Sequence, residues 1–173
     1  SIVVTGSTYG ALPGQTSSGI TDVFVRSYAA DGTVQWTDQF GTSSTDGGGG
    51  VAVGPDGSIA VAGNTLGVLP GQTSSGATDV FLRSYAANGT VQWTKQFGTS
   101  GGDFGGGVAV GPDGSISVIG YTDGVFPGQT ASGSYDVFVR SFAADGIVGW
   151  TDQFGSSNSR SEERRVGKEC RSR

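Results

Sequence analysis

Apolar residues run in short bursts over the first 159 positions, each burst closed by Gly, Pro, Asn or Asp. In the stretch 49–97 the bursts are GGVAVG (49–54), SIAVAGN (58–64), DVFLRSYA (79–86) and TVQWTKQF (90–97). Their Val, Ile, Phe, Tyr, Trp and Thr content predicts strands. None reaches helical length, and Gly is too frequent for a helix interior. Both faces are apolar: Val23 and Val25 point one way, Phe24 and Tyr28 the other. Such strands are covered on both sides.

The connections are of two kinds. GPDGS (54–58 and 111–115) and AADGT, AANGT and AADGI (29–33, 86–90 and 143–147) predict tight hairpins. Pro pre-sets φ, Asp or Asn bonds its own backbone, and Gly accepts the left-handed region. Longer loops are GTSSTDGG (41–48) and LGVLPGQTSSGAT (66–78). In an antiparallel meander of four strands, both tight turns fall at one end and both long loops at the other.

The pattern repeats every 57 residues, as Pro13, Pro70 and Pro127 and also Trp36, Trp93 and Trp150 show. Residues 1–57 and 58–114 align without a gap, with 45 of 57 positions identical. Short strands at even spacing, with one Trp per unit, predict an all-β fold: a β-propeller of four-stranded antiparallel blades. A β-solenoid, whose coils are shorter and lack tight hairpins, fits less well. The first strand, 1–8, matches 58–65, the second strand of a unit. The expected division is a partial blade at 1–41, then blades at 42–98 and 99–155. A ring of about seven such blades needs roughly 400 residues. The expectation is an interior fragment of an incomplete ring, whose partners include the remaining blades of a longer chain.

The segment DVFVRSYAADGTVQWTDQFGTSSTDGGGGVAVGPDGSIAVAGNT, followed by LPGQTSSG, resembles the bacterial repeat family named for the seven-bladed β-propeller (SBBP). The resemblance covers 1–159 almost three times over. Gly54 and Gly111 depart from the family's usual acid before the turn, and Ser58 and Ser115 from its usual Asn. The resemblance implies that the VAV strand is innermost and the Trp strand outermost. It also implies an extracellular or cell-surface bacterial setting.

Composition sharpens the picture. The 173 residues include 33 Gly, one Cys and no His or Met, and carry a net charge of −5. Absence of His removes the commonest general base and metal ligand. One Cys makes no internal disulfide. No apolar run is long enough for a membrane-spanning helix, and an acidic chain argues against nucleic acid as a partner. Within 1–159 there are four basic residues, Arg26, Arg83, Lys95 and Arg140, against twelve acids, all Asp. The segment 160–173, RSEERRVGKECRSR, holds the only Cys, every Glu and six basic residues. It resembles the translation of a short-read sequencing adapter and is set aside as a non-native or disordered tail.

Candidate chemistry is sparse. Asp46 and Asp103, in Gly-rich loops beside the presumed inner strand, are candidate Ca2+ ligands at a channel mouth, or else loop-capping acids. Asp22, Asp79 and Asp136 read as local turn-bonding groups. Arg26, Arg83 and Arg140 call for an Asp across a blade interface. Asp38 and Asp152 correspond to Lys95, which reads as a solvated outer face. Trp36, Trp93 and Trp150 are either a sugar-stacking platform or wedges between outer strands. The GGGG and GGG runs precede strands, not a helix, so no phosphate cradle is expected.

With no His, Cys or Glu in 1–159, no acid/base pair stands out. The expectation is a non-enzymatic propeller scaffold with no cofactor beyond Ca2+, presenting its long loops to a protein or glycan partner. The alternatives are a glycan-binding propeller with a shallow site per blade, or an accessory propeller of a larger secreted enzyme.

Overall fold

A computed structural model describes residues 2–157. The basic segment 160–173 lies outside the described residues. Eleven strands follow in chain order: β1 (Ile2–Thr8), β2 (Asp22–Tyr28), β3 (Val34–Phe40), β4 (Asp46–Val53), β5 (Ile59–Thr65), β6 (Asp79–Tyr85), β7 (Val91–Phe97), β8 (Asp103–Val110), β9 (Ile116–Thr122), β10 (Asp136–Phe142) and β11 (Val148–Phe154). They form three antiparallel sheets, β1-β2-β3, β4-β5-β6-β7 and β8-β9-β10-β11. The fold is all-β with blade-like sheets, as the repeat predicts. The alternation of tight turns and long loops is also as read.

The hairpins follow from their residues. In GPDGS the Gly57 amide donates to the Gly54 carbonyl at 3.0 Å, and the Ser58 amide to Asp56 Oδ1 at 3.0 Å. Gly57 sits at φ 82°, where a Cβ is disfavoured. AANGT closes in the same way, with the Thr90 amide on Asn88 Oδ1 at 3.0 Å.

Each blade has two apolar faces, and the core lies between blades. Val23, Val25 and Phe40 of the first sheet meet Ile59, Val61, Phe81 and Tyr85 of the second. On its other face the second sheet offers Ala60, Ala62, Val80, Leu82 and Phe97 to Ile116, Val118, Phe138 and Phe142 of the third. Odd and even positions of β5 thus serve different neighbours, so polar alternation is absent from the middle blade. The outermost faces stay apolar and open: Ile2 is 55% exposed on one side, Ile119 48% and Trp150 54% on the other.

Strand β4 begins at Asp46, earlier than the apolar run suggests, because the Gly run pairs with β5: Gly47 lies opposite Asn64 and Gly48 opposite Gly63. These glycines bring neighbouring inner strands together. A Cβ on Gly49 would lie 2.6 Å from the Gly105 carbonyl oxygen, and one on Gly50 3.2 Å from the Gly107 Cα. Such an approach of backbone to backbone requires glycine. The opposite edge, carrying Trp, is held apart by indole rings. Blades therefore converge at β4 and β8 and splay at β7.

Candidate functional site

The long loops are pinned by one glutamine per blade. Gln96 sits near the end of β7, where its Nε2 donates to the Gly67 carbonyl (2.9 Å) and to Asp79 Oδ2 (2.7 Å). Its Oε1 accepts from the Leu69 amide at 2.9 Å, and its own amide donates to Gln72 Oε1 at 3.0 Å. Gln39 does the same with Gly10, Leu12, Gln15 and Asp22. Gln153 does so with Gly124, Phe126, Gln129 and Asp136. The PGQT string is thus tied to the strand before the next inter-blade loop. The sequence reading assigned no role to these glutamines; their recurrence every 57 residues was the signal.

Asp22, Asp79 and Asp136 complete this staple. Their Oδ2 atoms also accept from the amides of Ser18 (2.8 Å), Ser75 (2.9 Å) and Ser132 (3.0 Å). All three are buried, and their Oδ1 atoms have no hydrogen-bond partner among the described residues.

Asp46 and Asp103 lie at the starts of strands, not within the Gly-rich loops of the sequence reading. They open β4 and β8 and are 1% and 0% exposed. Asp46 accepts from the Thr42 amide at 2.6 Å, and Asp103 from the Thr99 amide at 2.6 Å. Strand pairing of the glycines behind them buries these carboxylates. Burial, with the charge of Asp79 adding, holds the Asp103 carboxyl above the ordinary carboxylate range; bonds from Thr122 and Thr99 oppose this. The main chain ties each to the preceding blade, since the amides of Asp46 and Asp103 donate to the carbonyls of Thr21 (3.0 Å) and Thr78 (2.8 Å).

Arginines cross the blade interface. Arg83 Nε donates to Thr94 Oγ1 at 2.9 Å, while its Nη1 lies 3.5 Å from Asp38 Oδ2 of the preceding blade. Its guanidinium covers the Phe40 ring at 3.6 Å. Asp38 also accepts from the Tyr85 hydroxyl at 2.8 Å. Asp38 therefore is an interface residue, in place of the solvated outer face read from its replacement by Lys95. One period on, Lys95 takes the position of Asp38 and Arg140 that of Arg83, and Arg140 Nε is buried without a partner among the described residues. Arg140 rests over Phe97 instead, at 4.9 Å, and burial lowers its pKa from the usual value.

These positions carry a prediction. Lys95→Asp recreates the Arg83–Asp38 pair at the second junction and raises stability by about 1 kcal/mol, read as a higher urea midpoint. An unchanged or lower midpoint contradicts the assignment.

The tryptophans wedge between blades. Trp36 Nε1 donates to the Ala87 carbonyl (3.2 Å), and Trp93 Nε1 to that of Ala144 (3.0 Å), each in the next blade's hairpin. Trp36 also stacks on Tyr85 at 5.8 Å. Trp150 lies on the open face of the third sheet.

Residues 92–127 match the family described as Beta-propeller repeat. That stretch carries the family's repeat. The matched stretch runs from β7 through β8 and β9 to the PGQT loop, and the 57-residue period lays the same pattern over 35–70. The chain is also 32% identical over 146 residues to Regulatory protein FlaEY of Caulobacter vibrioides, a match spanning 78% of this chain and 15% of that protein.

Between the second and third propeller blades, at the tight-turn end, lies a cleft of about 520 Å³. Trp93, Tyr85, Gln92, Asp56 and Asp145 line it. Adjacent hairpins form this cleft because the blades splay at their outer edge.

Proposed function

We propose that these repeats are a non-enzymatic binding scaffold of a secreted or cell-surface bacterial protein, holding the long loops as a rigid face for a protein partner. The observation that carries this reading is the glutamine staple, made by the same atoms at Gln39, Gln96 and Gln153. Binding loops gain affinity when their ordering cost is met before the partner arrives. Each staple fixes a loop whose tip, such as Ser74, remains exposed. The acidic balance of 1–159 suits a partner with a basic surface. The test places a photo-crosslinking residue at Ser74 or at Asn88, on opposite ends of one blade, in the intact source protein on cells. The reading expects protein adducts from the loop position. Adducts from Asn88 alone, or from neither, contradict it.

A second reading is favoured by the cleft. An indole beside carboxylates and an amide is the lining that a sugar ring uses, stacking one face and bonding its hydroxyls. On that reading a glycan array gives hits that Trp93→Ala abolishes; the protein-scaffold reading gives none.

A further inference from the structure

Each blade junction contains two buried carboxylates with no counter-charge. Asp79, from β6 of one blade, and Asp103, which opens β8 of the next, are 1% and 0% exposed. Asp79 spends its Oδ2 on Ser75 and Gln96, and its Oδ1 has no partner. That bare oxygen and Asp103 Oδ2 flank the same glycine: a Cβ on Gly98 would lie 2.5 Å from each. The arrangement recurs one period earlier, where Asp22 Oδ1 and Asp46 Oδ2 flank Gly41. Asp22 Oδ1 is equally bare, and both of these residues are buried. Among the described residues the one ion pair, Arg83–Asp38, lies elsewhere.

Two like charges out of water repel strongly, and burial penalises each alone. A cation from solution would offset them. Amide donors from Ser75, Gln96 and Thr99 take up Asp79 Oδ2 and Asp103 Oδ2, and the hydroxyls at hand are Thr99 Oγ1, which bonds Asp103, and Thr122 Oγ1, 3.4 Å from Thr99 Oγ1. Carboxylate and hydroxyl oxygens suit a hard cation. Mg2+ retains waters in near-ideal octahedra, for which a site this buried has little room, whereas Ca2+ accepts irregular sets of protein oxygens.

We propose that each junction binds one Ca2+, held by Asp22 and Asp46 at the first and by Asp79 and Asp103 at the second, linking one blade to the next. No third acidic side chain joins either pair among the described residues. Threonine hydroxyls and main-chain carbonyls complete the shell. The ion supplies the partner that the bare Oδ1 lacks, and it acts where the main chain already ties the blades, at Thr21–Asp46 and Thr78–Asp103. This site is independent of what the loops or the cleft bind.

The test is equilibrium dialysis of the chelator-treated chain against radioactive calcium at pH 7.5, paired with thermal melts. The expected result is two ions per chain. Asp79→Asn should retain one, Asp22→Asn with Asp79→Asn none, and the exposed-turn control Asp31→Asn two. Saturating calcium should raise the wild-type melting midpoint by on the order of 5 °C over chelator. Should the Asp variants fail to fold, the wild-type stoichiometry and chelator shift still decide. No retained calcium and no shift overturn the proposal. So does a calcium-independent midpoint that rises from pH 8 to pH 5 while Asp103→Asn stabilises at pH 8, since the pair then shares a proton.

Discussion

Gly63→Ala is expected to cost about 3 kcal/mol and to unfold the middle blade at a much lower urea concentration. The added Cβ would fall on the carbonyl oxygen of Gly47 in the inner strand. It would also lie 2.8 Å from two atoms of the Phe81 ring. Neither neighbour can yield. Gly47 belongs to a strand already in contact with its counterpart in the next blade, and Phe81 is fully buried between sheets. Gly120→Ala meets the Phe104 carbonyl and the Phe138 ring in the same way and should behave alike. Gly10→Ala is the control: nothing lies within 4 Å of its Cβ, and a change under about 0.5 kcal/mol is expected. A Gly63→Ala midpoint equal to that of Gly10→Ala would sink this account of the inner strands.

Gln96→Ala should rank with it, at about 3 kcal/mol, because it strands several groups at once. The Leu69 amide, the Gly67 carbonyl and Asp79 Oδ2 all lose a bond to this side chain. Leu69 is 1% exposed, so water cannot replace the missing acceptor without opening the loop. The variant should also become sensitive to limited proteolysis within 66–78, well below the concentration of denaturant that unfolds the sheets. Gln96→Glu separates the parts. It keeps an acceptor for Leu69 but sets a second carboxylate against Asp79, so a loss larger than that of Gln96→Ala is expected near neutral pH. A loop that stays protected in Gln96→Ala would show that the staple is not what holds it.

Both effects bear on what the sequence makes legible. Strand positions, hairpins and the propeller architecture follow from local chemistry that recurs every 57 residues, and the structure has them. Contacts between blades are different. Gly6, Gly63 and Gly120 are visible as a repeated residue, yet the reason for glycine is an aromatic ring from the neighbouring strand. Asp46 reads as a loop residue because a run of glycines has little intrinsic strand preference. Pairing with β5 and contact with β8 override that preference and bury the carboxylate. Asp38 reads as dispensable because Lys95 replaces it, but its partner Arg83 is brought to it only by packing one sheet on another. Gln39, Gln96 and Gln153 carry no recognisable motif, since their side-chain bonds reach 17 to 29 residues back along the chain.

The central claim is that blades pack face over face in one register, with the Asp38 face of each lying on the Arg83 face of the next. The most direct measurement is a double-mutant cycle on Asp38 and Arg83, which lie 45 residues apart and in separate sheets. Urea unfolding of Asp38→Ala, Arg83→Ala and the double variant should give a coupling of about 1–2 kcal/mol. Additivity within about 0.3 kcal/mol would contradict the stacking of these blades.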